Sequence, residues 1–331
     1  MLQLQQTQRY SVLAAAPPAV TVALLPDDPM LDEEARAAEA AGLVALRFLF
    51  DGREAPELSA ASAAKLKKAA LPVRAVFRGF MMSGERYGAL HAGMRELGVH
   101  MIVDPGQYER AHYFPNAYAA IEELSPRAAW VEVDDMAMVD NVVFEGAVRS
   151  VKGWDGCTHV CLKDFVKSAK HKRPDLLKVV VDDDLAAKAW QLVSARGAAF
   201  NRGVVFKEHV AARMYDVPLD LGGRTTGPNE WRLWFCDGTM VECSPNSAAA
   251  LLPRATKVPD AVIAWATEAA RAIASPYATV DVSERSEGGW FCLEAGDGGV
   301  SGPALDQDVL KLWKDLRACF AAEDAREPRR R

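Results

Sequence analysis

The 331-residue chain has few cysteines and no pattern to them. Cys157, Cys161, Cys236, Cys243, Cys292 and Cys319 include no C-x-x-C pair, so neither a zinc cage nor a disulfide scaffold is indicated, and reduced cytosolic thiols are expected. The six histidines are equally scattered, with no i, i+4 pair to place two metal ligands on one helix face. No apolar run reaches the ~20 residues needed to cross a bilayer, and the stretch from Val12 to Leu25 is broken by Pro17 and Pro18. Arg9 is the sole basic residue ahead of that stretch, a poor n-region for a secretory signal, so a cytoplasmic protein is expected. Basic charge is also lacking overall. The formal net charge of −6 argues against a general electrostatic grip on nucleic acid.

What is present is an ordinary globular balance, half hydrophobic and a quarter charged, at a length that suggests two or three domains. Residues 20–25, 43–50 and 73–80 read as strands, separated by Ala-rich or amphipathic segments at 31–41 and 59–70 and followed by a helix from about Glu85 to Leu97. HMIVDP (100–105) adds a possible strand. This alternation predicts an α/β domain over 1–128. The acidic stretch 132–140 marks a transition to an α+β region over 129–320. Its smaller, β-rich part spans about 150–205 and its larger part about 206–320. Residues 321–331 form a charged tail expected to fray.

Three features carry potential chemistry. From Lys163 to Lys178, five lysines and one arginine face two aspartates, a local +4 in an acidic chain. Lys163 and Lys167 are four apart, which puts them on one side of either a strand or a helix, where they could grip one polyphosphate. A solvated basic loop is the alternative. Next, ATVDVSE and GWFCLEAGD flank RSEGG as a hairpin with its turn near Glu287 and Gly288. Symmetry about that turn sets Asp281 opposite Glu294 on one face, while Val280, Val282, Phe291 and Leu293 alternate away toward a core. Like charges directly across a sheet call for a neutralising cation, and Mg2+ suits oxygen ligands. Asp297, in the glycine turn that follows, is a candidate third ligand. Between these features, alternation puts Glu230, Arg232 and Trp234 on one face of a strand, with the Arg232 fork shaped for phosphate or carboxylate. Lys207 and Glu208 interrupt the run GVVFKEHV, where they could meet a base or ribose.

In this order, CLKDFVKSAKH, GVVFKEHV, EWRLWFCDG, SPYATVDVSE and FCLEAGDGGVSG resemble the ATP-grasp superfamily, and within it the clade named for an arginine and two lysines. RAVFRGFMMSGERYGAL looks like that clade's preceding domain, so the likeness covers about residues 73–303. The resemblance implies two subdomains clasping ATP. It puts Lys163 and Lys167 on the phosphates, Lys207 and Glu208 at the adenine and ribose hinge, Arg232 at the γ-phosphate or acyl phosphate, and Asp281 and Glu294 on magnesium. It further implies a ligase in which a carboxylate, activated as an acyl phosphate, is joined to an amine, with Lys163 and Arg232 as the catalytic cations. A phosphotransferase of the same fold and a non-catalytic ATP-binding assembly factor with a protein partner are the alternatives. The sequence departs from the superfamily in two places. SAKHKRP contains no glycine where many relatives have a glycine-rich phosphate loop, and Gly296 stands where an asparagine is expected after Glu294. Arg78, after a predicted strand, is the candidate substrate contact of the first domain, with Glu85 as its other possible partner.

Overall fold

The computed structural model describes residues 20–133, 141–218, 224–246, 257–304 and 307–326. Most of the acidic stretch 132–140 and the end of the charged tail lie outside these residues.

The β-branched run VTVALLP forms β1 (Val20–Pro26), stopped by its proline, and sits at the centre of a sheet with Val22 to Leu25 buried. The other strands are β2 (Val44–Leu49), the two-residue β3 (Glu57–Leu58), β4 (Val73–Phe77) and β5 (Val99–Met101), in the order β3-β2-β1-β4-β5. All are parallel except the edge strand β3. Parallel neighbours need crossovers, supplied here by α1 (Asp32–Ala40), α2 (Ala60–Leu66) and α3 (Gly84–Glu96). Serines at the starts of α2 and α3 accept backbone N–H groups. Asp104 and Gln107 form a reciprocal capping box on α4 (Pro105–His112), which has Pro105 in its first turn. Helix α5 (Phe114–Ile121) follows at once.

Two antiparallel sheets come next. β6 (Ala128–Glu132), β7 (His159–Asp164), β8 (Val179–Val180) and β9 (Gly203–Glu208) pair in the order β6-β9-β7-β8. Helices α6 (Glu145–Lys152) and α7 (Leu185–Arg196) share a core with them through Phe144, Val151, Leu192 and Phe206. A hairpin of β10 (Met214–Pro218) and β11 (Arg224–Pro228) leads to the last sheet. There β12 (Glu230–Cys236), β13 (Thr239–Asn246), β14 (Tyr277–Glu284) and β15 (Trp290–Asp297) run in the order β13-β12-β14-β15. Helix α8 (Asp260–Ile273) and α5 cover one face of it, burying Leu233, Phe235, Val280 and Val282.

The last helix reaches into the first residues of the segment expected to fray, to Arg326. Helix α9 runs Val309–Arg326. Its Leu312, Trp313, Leu316 and Phe320 are buried in the core of the first sheet, together with Trp234 and Tyr277 of the last. The reason is amphipathic spacing in a charged segment, in which apolar side chains recur on one helix face. Architecture therefore matches the expectation of an α/β sheet followed by antiparallel sheets of an ATP-grasp fold. None of the described helices is long and apolar enough to cross a membrane.

Candidate functional site

Pairing across the last sheet fixes which side chains meet. Asp281 lies opposite Glu294 on β15 and opposite Arg232 on β12. Directly paired residues of an antiparallel ladder point to the same face, so these three side chains share one, with Glu230 one row along. Arg232 donates two hydrogen bonds to Asp281, Nε to Oδ1 at 2.8 Å and Nη2 to Oδ2 at 2.6 Å. Its Nη1 donates to the Gly302 carbonyl at 2.7 Å.

The hairpin is less regular than symmetry predicts. A bulge separates Asp281 from Val282, and Val282 pairs with Cys292, which leaves Leu293 unmatched. Cys292 thereby takes the core-facing position beside Val282, while Phe291 pairs with Ser283 and moves to the acid side. Phe291 and Leu293 are thus not both on the core face as alternation implies, because one extra residue reverses the parity.

On the middle sheet, β7 and β9 present Lys163 and Lys207 from one face, since Lys163 pairs with Val205 and Cys161 with Lys207. Lys163 Nζ donates to Glu294 Oε2 at 2.6 Å. Lys207 Nζ donates to the Leu293 carbonyl beside the bulge and to that of Cys292 at 3.3 Å. The two ammonium groups lie 5.4 and 5.1 Å from the centroid of one ring, Phe114, close enough for a cation–π attraction. Phe114 and Glu230 are the site neighbours that the candidate residues omitted. Phe114 sits in an aromatic segment readable as helix core, and nothing in its spacing points to two lysines far along the chain.

Electrostatics follow from this crowding. Burial, with Lys163 alongside, pushes Lys207 down to about 8. Burial would also lower Lys163, but Glu294 more than offsets it and the pKa is raised. Glu294 is lowered to about 2 against the cost of burial, by Lys163 first and then Arg232 and Lys207. Asp281 is raised, because burial outweighs its pairing with Arg232. Glu230 is pushed up to about 7 by burial and by Asp281. The face thus holds carboxylates with their counter-cations built in.

Other candidates are placed differently. Strand β7 ends at Asp164, whose Oδ1 accepts the backbone N–H groups of Val166 and Lys167 at 2.8 and 2.5 Å in a tight turn. Arg196 holds Asp164 Oδ2 at 2.7 Å. The chain reverses between Lys163 and Lys167, so neither strand nor helix periodicity relates them, and Lys167 is exposed on the turn. Glu208 neighbours Lys207 on β9 and so points to the opposite face. Its carboxylate is gripped by Arg127 at 2.8 and 2.9 Å.

Asp297 is three residues beyond Glu294 and pairs with Ala278, so it turns to the opposite face from the two acids. It is 1 % exposed and caps the following turn by accepting the Gly299 N–H at 2.8 Å. It does not join Asp281 and Glu294 in one ligand set. Among the described residues, no cluster of three or more His, Cys, Asp or Glu side chains is gathered for a metal. At Gly296 a Cβ would approach Thr279 Oγ1 at 3.1 Å and Ser301 Oγ at 3.3 Å. Two hydroxyls, 2.9 Å apart, thus crowd the place of the expected asparagine side chain. Arg78 is 3 % exposed, and its guanidinium donates to Glu34 and to the carbonyls of Gly298 and Ser301, the last at 2.6 Å. Its acidic partner is Glu34 rather than Glu85.

Comparison with known proteins agrees with this architecture. No curated protein sequence matches the chain. Among solved structures, the D-cycloserine synthetase DcsG superposes with a TM-score of 0.57 at 15 % identity, over 90 % of this chain and 99 % of its own. D-alanyl-alanine synthetase A from Vibrio cholerae gives 0.55 at 12 % identity, over 93 % and 99 %. The ATP-grasp ligase PsnB, in complex with a phosphomimetic variant of a minimal precursor, Mg and ADP, gives 0.51 at 13 %, over 91 % and 97 %. At such identities these structures establish the fold. A family model for the ATP-grasp domain, family 3 of the clade named for an arginine and two lysines, matches residues 151–316, which contain Lys163, Lys207, Arg232, Asp281 and Glu294. The chain belongs to this third family of the arginine-and-two-lysine clade of ATP-grasp domains.

Proposed function

We propose that the chain is an ATP-dependent carboxylate–amine ligase that works through an acyl phosphate. One observation carries this reading: Lys163 from one sheet and Arg232 from another pair with the facing carboxylates Glu294 and Asp281, and Lys207 beside Lys163 donates to the carbonyls just ahead of Glu294. The difficulty in the reaction is charge, because a carboxylate must approach a triphosphate. Positioned cations lower that barrier by electrostatic stabilisation of the transferring phosphoryl group.

In the proposed sequence a substrate carboxylate oxygen attacks the γ-phosphorus of ATP, the bond to the bridging oxygen breaks and ADP leaves. An amine nitrogen then attacks the acyl carbon, the phosphate departs and the amine loses a proton. Lys163 and Lys207 would hold phosphate oxygens, with Phe114 as the platform beneath them. Arg232 would face the phosphoryl group in transfer, and Lys167 would reach the phosphates from the exposed turn. Glu208, tied to Arg127, would mark the nucleotide-base end of β9.

Asp281 and Glu294 fit a magnesium site. They are hard oxygen donors side by side on one face, each already paired with a cation, and Mg2+ is commonly held by one or two carboxylates with phosphate oxygens completing its shell. Bound there, the ion would neutralise phosphate charge as a Lewis acid. The PsnB complex, of the same fold, contains Mg and ADP.

The test uses hydroxylamine as a small nucleophile, with ATP, Mg2+ and a panel of carboxylic acids and peptide carboxylates. ADP and hydroxamate should appear in step with one acid class. A stable phosphorylated product formed without any amine would replace the ligase by a phosphotransferase. Nucleotide binding with no turnover across the panel, together with a co-purifying protein, would replace it by an assembly factor.

A further inference from the structure

The pair Arg78–Glu34 joins the end of β4 to α1 and is almost wholly buried, and the proposed reaction assigns it no role. A buried ion pair is a poor stabiliser, since apolar side chains of similar volume are often as good or better. What the pair does supply is placement.

Around it, the Arg78 guanidinium lies 5.3 Å from the centroid of the Trp234 indole, and that of Arg232 lies 6.0 Å from the same ring. Arg78 also donates to the carbonyls of Gly298 and Ser301, while Arg232 donates to that of Gly302. Two arginines from different sheets therefore share one aromatic ring and hold consecutive parts of one turn.

The turn itself is docked from the first sheet. Gly79 N–H donates to the Gly299 carbonyl at 2.8 Å. A Cβ on Gly299 would come within 2.9 Å of the Phe77 carbonyl oxygen, so β4 and the turn meet backbone to backbone. Ser301 Oγ donates to the Asp297 carbonyl at 2.8 Å and lies 2.9 Å from Thr279 Oγ1, which ties the far end of the turn to β14.

We infer that Arg78 is a positioning residue for Arg232: through Trp234 and the 298–302 turn, the N-terminal sheet sets the guanidinium that pairs with Asp281. The inference rests on the proposed function only for what Arg232 would meet. Lysine cannot replace Arg78, because one ammonium lacks the planar fork that reaches Glu34 and two carbonyls at once.

The decisive measurement needs no nucleotide. In protein labelled with 15N-arginine, the Arg232 Nε–H signal, assigned by its loss in Arg232→Lys, should be sharp in the wild type. In Arg78→Lys and Arg78→Met it should broaden or move toward the position of a free side chain. Glu34→Gln should do the same more weakly and stands in if Arg78→Met fails to fold. Binding supplies the second readout. In Arg78→Lys the Kd of Mg·AMPPNP should rise about tenfold, in line with misplacement of a group away from the chemistry, with the Kd of ADP changed far less. A purely structural role would lower Tm and weaken both nucleotides alike. An Arg232 signal unchanged in Arg78→Lys overturns the inference. If the wild type binds no AMPPNP, the proposed function fails while the Arg232 signal still decides the positioning role.

Discussion

Of the three cations at the candidate site, Lys163 and Arg232 have raised pKa values, whereas Lys207 is the one lowered toward neutrality. Pushed down to about 8 by burial and by Lys163, it is charged below that pH and neutral above it. A phosphate beside it favours the charged form and raises the pKa. Binding of Mg·AMPPNP near pH 8 should therefore take up a fraction of a proton, and affinity should fall as pH rises past 8. Titration calorimetry in buffers of different protonation enthalpy measures this uptake. Lys207→Met should abolish it, and a wild type with no buffer dependence would rule it out. Asp297 offers the opposite sign in stability. Burial pushes its carboxyl up to about 7, so between the ordinary carboxylate range and pH 7 the native state binds more protons than the unfolded one. Stability falls as pH rises through that window. Asp297→Asn keeps an oxygen for the Gly299 N–H and removes the charge, so it should stabilise the protein at pH 8 by about 1–3 kcal/mol and flatten the slope. Denaturant unfolding at pH 5 and pH 8 checks both.

At the scale of elements, the site is made where strand geometry departs from the regular. The bulge at Leu293 releases a carbonyl to Lys207 and re-aims the strand beyond it, a common use of bulges beside functional sites. The reversal after β7 depends on Asp164, which accepts two backbone N–H groups and is itself held by Arg196. In this glycine-free turn a carboxylate organises the backbone in place of glycine's conformational freedom. Strand β9 is the spine of the middle sheet, and its first residue tolerates no side chain. A Cβ on Gly203 would lie 2.2 Å from the Val131 carbonyl oxygen and 2.4 Å from the Phe165 ring. Gly203→Ala should push β6 off β9 at a cost of about 2–4 kcal/mol, read as a lower urea midpoint. Unfolding indistinguishable from wild type would show that the strands separate without penalty.

For the whole molecule, the last helix closes the structure by returning to the first sheet. Trp313 is fully buried among Leu312, Leu316 and Phe320 in the same core as Val22, Leu24 and Trp234. Trp313→Ala should cost about 3–5 kcal/mol, and the loss should appear as one cooperative transition because a single core is affected. An early separate transition confined to α9 would show instead that the helix docks independently. Much of the architecture was legible in the chain. Alternating strands and helices, the Asp281–Glu294 pairing and the shared face of Arg232 and Trp234 follow from local periodicity and one glycine-marked turn, which act over neighbouring residues. Sequence by itself determined those faces and the family likeness. Tertiary structure decided the rest: that Lys207 rather than Lys167 stands beside Lys163, that Phe114 underlies both lysines, that Asp297 turns away, and that Arg78 is buried against Glu34. The physical reason is the same throughout. A bulge, a tight turn and the docking of one sheet on another each alter parity or proximity between residues far apart in the chain, and no local pattern encodes that distance.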